Sequence, residues 1–260
     1  MRDSCQRVAA VARLSVLELY RRKDLFAALL LAAVILVPLS AFNLFGVEGM
    51  SRYLCEVSLL LIWIFSIAVG LAVAGRQFPV EFESRTIYPL LSKPVRRGEL
   101  LLGKYLGALT ASASALLVFY LCHLLLMLAK GGPWNGLVLA QGVLLHLEFM
   151  MILTAVGLAG SLWLTPSANL TVGALTAAGM LLFGEKLAAF AQTGPMPGAA
   201  LAALVHLLVP HFEFFDIRLQ IVHSWEPVAA GVVLLVTAYA VAYTAFVLGI
   251  ASWLLGRKKL

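Results

Sequence analysis

Four stretches of this sequence run for 19 to 30 residues without a single Lys, Arg, Asp or Glu: 25–47, 57–75, 105–129 and 227–256. Crossing the hydrocarbon of a bilayer takes an α-helix about 20 apolar residues, so runs of this length dictate spans. A fifth stretch, 131–184, carries one formal charge, Glu148, in 54 residues and is too long for a single crossing. The sequence TPSAN at 165–169 puts a proline and turn formers inside it and divides it. Six spans follow, at 25–47, 55–75, 103–129, 137–164, 169–190 and 227–255, in one transmembrane domain. The expected fold is an all-α integral membrane protein. Composition agrees, with 62% apolar and 12% charged residues against roughly a half and a quarter in soluble domains.

Orientation follows from the short-loop cations. Six Lys/Arg precede the first span, six lie in 76–104, and three follow the last span. The opposite side holds Arg52, Lys130, Lys186 and Arg218. Fifteen against four places both termini in the cytoplasm, which an even number of spans requires. The net charge of +6 reads as attraction of one face to anionic lipid rather than to nucleic acid. Residues 1–24 mix apolar and basic positions in a way that suits an interfacial helix on the cytoplasmic surface, although an ordinary positive-inside flank explains the charges equally well. No cleavable signal peptide is expected, because charged residues fill the start of the chain and no early apolar core is present. Cys5, Cys55 and Cys122 are far apart and form no CxxC, which points away from a disulfide framework or a cysteine metal site.

Residues 191–226 break the hydropathy pattern. About 14 apolar residues between Pro197 and Pro210 are too few to cross. They suit a short re-entrant or interfacial helix on the outer side, followed by a wetter stretch with Glu213, Asp216 and Arg218. His206, His211 and His223 stand at wide spacings here and read as scattered interfacial histidines rather than a metal site.

The cytoplasmic segment 76–102 is the part of the chain most suited to meeting a soluble partner. Pro79 fits the first turn of a helix, Glu81 and Arg85 fall four apart on one helical face, and Phe82 and Ile87 supply apolar contact. Pro89 limits that helix, and Lys93, Arg96 and Arg97 lie beyond it. A short, stiff, charged helix held between two spans can transmit a push from a cytosolic subunit. The alternative is a plain positive-inside loop.

The stretch FPVEFESRTIYPLLSKPVRRGELLLGKYLG resembles the first cytoplasmic loop of the type-2 ABC transporter permease family. The residues that carry the likeness are Glu81 and Glu83, Arg85-Thr86-Ile87, Leu90-Leu91, Ser92-Lys93-Pro94-Val95 with Arg97, and Gly103-Lys104. The motif covers about 30 residues. The resemblance implies a multi-pass permease in the cytoplasmic membrane of a prokaryote, an exporter working by alternating access. It implies a dimer with a second copy or a homologue, and two cytosolic ATP-binding-cassette subunits. Glu81, Phe82, Glu83, Arg85, Thr86 and Ile87 would then form a coupling helix against the ATPase, with Lys93, Arg96 and Arg97 at its rim. The chain has no GxxxxGK[ST] loop, so ATP and Mg²⁺ would belong to the partner chain and no cofactor is expected in this one. The resemblance leaves open the substrate, the choice between homodimer and heterodimer, and an accessory periplasmic protein.

Polar residues inside the spans are costly and tend to face protein or water. Glu148 lies about midway along the fourth span, with His146 two residues earlier and Gln141 toward its outer end; His123 lies in the third. These four are candidates for the translocation path or the dimer seam, and a structural carboxyl bonded to a neighbouring helix is the other reading of Glu148. Glu185 and Lys186, near the outer end of the fifth span, are outer-gate candidates. A metal site from His123, His146 and Glu148 has no HExxH-like spacing behind it, and no metal is expected. No catalytic residue is expected either. Two rival functions share the layout: a non-ATPase assembly or cofactor-delivery subunit, and an integral membrane enzyme using His123, His146 and Glu148.

Overall fold

The structure is a computed structural model that describes residues 2–21, 30–31, 33–34, 47–79, 96–132 and 135–257. Of the first span, 25–47, it therefore describes only four residues ahead of Val47, all helical and exposed. The described residues are helical with no strand, and five of the helices are long and apolar enough to cross a membrane. A sixth crossing is counted if a bent pair, Gly198–Leu208 with Phe212–His223, is taken as one broken span.

Among the described residues the helices with defined ends are α1 (Arg2–Arg21), α2 (Val47–Gly75), α3 (Arg97–Lys130), α4 (Gly136–Gly160), α5 (Pro166–Thr193), α6 (Gly198–Leu208), α7 (Arg218–His223) and α8 (Ala230–Arg257). A single 3₁₀ turn, Phe212–Phe215, joins α6 to α7. Local chemistry sets several of the ends. Asn135 caps α4, its Oδ1 accepting from the backbone N–H of Leu137 at 3.1 Å. Thr165 caps α5, with Pro166 in the first turn, where its missing N–H costs nothing. The α4–α5 break covers residues 161–165, so of the TPSAN stretch only Thr165 lies in it and Pro166–Asn169 already belong to α5.

Two helices form the centre. The spanning windows of α2 and α4 are 61% and 67% buried within the chain, whereas those of α5 and α8 are only 17% buried. α2 packs on α3, α4 and α5, and α4 packs on α8 as well. The outer faces of α5 and α8 present Leu175, Leu182, Phe183, Leu234, Leu235 and Phe246. Such surfaces suit lipid or another apolar partner and not water.

The packing forms two clusters. The larger runs through Trp63, Phe65, Phe119, Phe149, Phe212 and Phe215. The smaller gathers Phe78, Leu101, Tyr105, Leu158, Leu162, Ala251 and Leu255, at the ends of α2, α4 and α8 and the start of α3.

The stretch beyond Phe212, expected to be wetter, belongs to the larger cluster. Phe212, Phe215, Ile217, Ile221 and Val222 are all at most 7% exposed. Its charges are accommodated locally: Asp216 and Arg218 chelate one another, with Nη2 to Oδ2 at 2.6 Å and Nε to Oδ1 at 2.8 Å. Averaging hydropathy along the chain mixes these ions with the apolar residues that alternate with them, and so hides a segment that packs inward.

Candidate coupling site

At the end of α2 the chain turns through Arg76–Phe78, with the Gln77 N–H donating to Ala74 O at 3.3 Å. Phe78 drops into the smaller cluster and is fully buried. The residues expected to form a coupling helix, Glu81, Phe82, Glu83, Arg85, Thr86 and Ile87, and the expected rim residue Lys93 lie outside the described residues. Description resumes at Arg96, so the residues on either side of 80–95, its two feet, are both described.

The feet are tied together. Lys104, 3% exposed in α3, donates from Nζ to the backbone oxygen of Gln77 at 2.9 Å and lies 5.3 Å from the centre of the Phe78 ring. An amphipathic side chain does this well, because its methylene stem lies in the apolar cluster while its amine reaches a carbonyl.

Glu99 organises the downstream foot. It accepts from the Arg96 N–H at 3.1 Å, half of a capping box, since Arg96 carries no acceptor to complete it. It also takes a two-pronged contact from Arg7 of α1, Nη2 to Oε1 at 2.9 Å and Nε to Oε2 at 3.1 Å, and a hydrogen bond from the Ser4 hydroxyl. α3 has 34 residues, about 50 Å at 1.5 Å per residue, against a hydrocarbon core of about 30 Å. The expected span begins only at residue 103, four positions beyond Glu99. The hydrogen bonds from Arg7, Ser4 and Arg96 hold the Glu99 carboxyl down at about 2, well below the usual carboxylate range.

Close backbone approach completes the bracing. A Cβ on Gly103 would meet Val11 Cβ at 2.7 Å and the Val8 carbonyl oxygen at 3.1 Å, so α1 lies directly on α3 where glycine leaves room. Arg97 turns the other way. Its Nη1 donates to the Leu255 and Gly256 carbonyls at 2.9 and 2.7 Å, capping the C-terminus of α8 in the manner of a basic residue at a helix end. Arg97, expected at the ATPase rim with Arg96, is thus engaged by the protein's own last helix, whereas the Arg96 residue is exposed.

The polar candidates in the spans fall into separate groups. His146 is fully buried, stacked on Trp63 at 4.2 Å, and bonded through Nε2 to Ser66 Oγ at 2.8 Å and through Nδ1 to the Tyr120 hydroxyl at 3.2 Å. His123 bonds through Nδ1 to Ser58 Oγ at 2.7 Å. Glu148 does not join them. It accepts from Thr237 Oγ1 of α8 at 2.6 Å, and its Oε2 is buried without a partner among the described residues. Gln141 clamps Val228 at the approach to α8, donating to its carbonyl at 2.9 Å and accepting from its N–H at 3.0 Å. Glu185 and Lys186 are exposed on α5, with Lys186 Nζ 5.9 Å from the Phe183 ring centre. Ser58, Ser66, Trp63 and Tyr120 escaped sequence reasoning. The available signal was two serines in the apolar run of α2, which need acceptors or donors on a neighbouring helix.

A family model described as ABC-2 family transporter protein matches residues 56–260, from the start of the α2 span through the last helix. No curated protein matches the sequence.

Proposed function

The chain belongs to the ABC-2 transporter family, and on that premise we propose that it is the six-span permease of an ATP-binding-cassette exporter with both termini in the cytoplasm. Two such permeases, identical or homologous, pair in the cytoplasmic membrane of a prokaryote and work with two separate ATPase chains. Residues 80–91 act as the coupling helix. Glu81, Glu83 and Arg85 contact the ATPase, with Phe82, Thr86 and Ile87 on the same short helix and Lys93, Arg96 and Arg97 at the rim. ATP and Mg²⁺ are held by the partner, whose closure displaces the helix and reorients the permease pair between inward and outward access.

The observation that supports the coupling reading is the clamp at the two feet of 80–95. A segment meant to carry force needs feet that do not slip. Here Gln77 and Lys104 are bonded across 27 residues of sequence, Phe78 is fully buried, Glu99 is held by α1 and Arg97 by α8. A plain loop has no use for such fixtures. Glu148, with one oxygen on α8 and the other unpartnered among the described residues, is the in-span group best suited to meeting a polar part of the cargo.

Co-expression with the candidate ATPase, followed by pull-down in detergent, tests the assignment. The wild-type chain should capture the ATPase, and Glu81→Lys/Glu83→Lys should lose it while remaining monodisperse. Capture that survives the double reversal would remove the coupling role from these carboxylates. A well-folded wild-type chain that captures no ATPase would overturn the proposal.

A further inference from the structure

The joint between α6 and the 3₁₀ turn brings together three groups that lie apart in the sequence. His211 Nε2 is 2.9 Å from His206 Nδ1, and the two rings are 4.1 Å apart, nearly perpendicular. A carboxylate oxygen of Glu213 joins them, so that one ligand atom from each residue lies within 4.8 Å of the other two. All three residues are half-buried.

Two further features point to a cation. Glu213 Oε2 is buried and has no hydrogen-bond partner among the described residues. A carboxylate removed from water without a partner is costly unless it is paired or coordinates a metal. The cradle around it is built rather than accidental: a Cβ on Gly184 of α5 would stand 2.6 Å from Glu213 Cδ and 2.7 Å from both oxygens, so only glycine admits the carboxylate there. The second feature is orientation of the imidazole. His211 Nδ1 is 3.2 Å from the Tyr239 hydroxyl of α8, which also accepts from the His211 backbone N–H at 2.9 Å. With Nδ1–H donating to Tyr239, Nε2 keeps its lone pair for a ligand role, the outer-shell arrangement usual for metal-binding histidines.

We propose that His206, His211 and Glu213 form a binding site for a divalent transition-metal ion of the zinc type. Two imidazoles and one carboxylate make a set suited to Zn²⁺, with an open position left for water or another ligand. Bond lengths of about 2.0–2.2 Å require ligand atoms roughly 3.3–3.6 Å apart in a tetrahedron. The two imidazole nitrogens open slightly and the carboxylate draws in, movements that side-chain rotation supplies. Because the ligands straddle the break between Gly198–Leu208 and Phe212–His223, an ion there fixes the 50° bend between them.

This inference stands apart from the transport reading and is tested on the full chain alone, without an ATPase. The protein in nanodiscs is stripped with chelator, dialysed against Zn²⁺, and its metal content and affinity are measured. About one Zn²⁺ per chain is expected, and no displacement by excess Mg²⁺, which prefers oxygen ligands. His206→Gln, His211→Gln and Glu213→Gln should each weaken binding by tenfold or more, and Tyr239→Phe, which only orients His211, by about 10–100-fold. His223→Gln, on α7 and outside the cluster, should bind as the wild type does. Because His211 and Glu213 also help to fix the joint, the half-buried His206→Gln is the deciding variant, with monodispersity and melting of the zinc-free protein checked in parallel. Zinc content no higher than buffer in the folded wild type, or binding unchanged in both His206→Gln and Glu213→Gln, would overturn the site.

Discussion

Replacing Gly103 with valine should lift α1 from α3 while leaving the bundle folded. The first atom of any side chain at 103 would meet Val11 Cβ at 2.7 Å and Val11 Cγ1 at 2.8 Å, with the Val8 carbonyl oxygen at 3.1 Å. Ordinary carbon contacts need roughly 3.5–4.0 Å, so α1 must retreat by about 1 Å. Val11 cannot swing clear, because its crowding atom is Cβ itself, fixed to the α1 backbone. Overpacking of this kind costs about 1–3 kcal/mol, and the helix propensity of residue 103 does not enter, because α3 stays helical whether or not α1 is docked. That cost corresponds to a roughly 5- to 160-fold fall in the docked population. Amide hydrogen exchange over residues 4–14 in nanodiscs should accelerate by that factor, since a 20-residue helix without its packing partner is marginal. Gly179→Ala on α5 is the control: no atom lies within 4 Å of its added Cβ, so exchange in α1 should stay put. Unchanged exchange in a folded Gly103→Val protein would refute the claim that close backbone contact is what holds α1 in place.

Three other outcomes are expected. The Glu99 carboxyl is held below its unfolded value, so its contribution to α1 docking is fully present above about pH 4.5 and fades as pH falls toward about 2; Glu99→Gln should loosen α1 at neutral pH, and exchange measured from pH 7 to 5 in the wild type should show no extra opening from this group. Phe78→Ala should cost about 3–5 kcal/mol as a fully buried aromatic, against less than about 1.5 kcal/mol for Phe78→Met, read from thermal melting in detergent; equal losses would show that the smaller cluster does not pack on Phe78. His146→Leu strands the Tyr120 hydroxyl and frees Ser66, a loss of about 1–3 kcal/mol, with Tyr120→Phe in the same background recovering part of it.

The membrane class and the succession of long apolar helices were legible because a span is encoded locally, as an uninterrupted run of about 20 apolar residues. The start of α5 was legible for the same reason, as Thr165 and Pro166 act within one turn. What stayed hidden is encoded by encounters between distant residues. Nothing near Ser4 or Arg7 announces a carboxylate more than 90 positions away. Arg97 looks like one more loop cation until α8 presents its terminal carbonyls. His206 and His211 seemed scattered because five residues is not a helical repeat. The chain breaks at Pro210 between them, and the bend turns one ring onto the other. The inward packing of Phe212–Phe215 was masked by Glu213 and Asp216; Gly184 leaves room for the first carboxylate, and Arg218 pairs with the second.

The last helix touches each of these places in turn. Its C-terminal end is gripped by Arg97 at Leu255 and Gly256, Thr237 reaches Glu148, and Tyr239 holds His211. Seventeen residues separate Tyr239 from Gly256, about 25 Å of continuous helix. The guanidinium of Arg97, the carboxyl of Glu148 and the imidazole of His211 are therefore fastened to one continuous member, so residues far apart in the sequence share a single support.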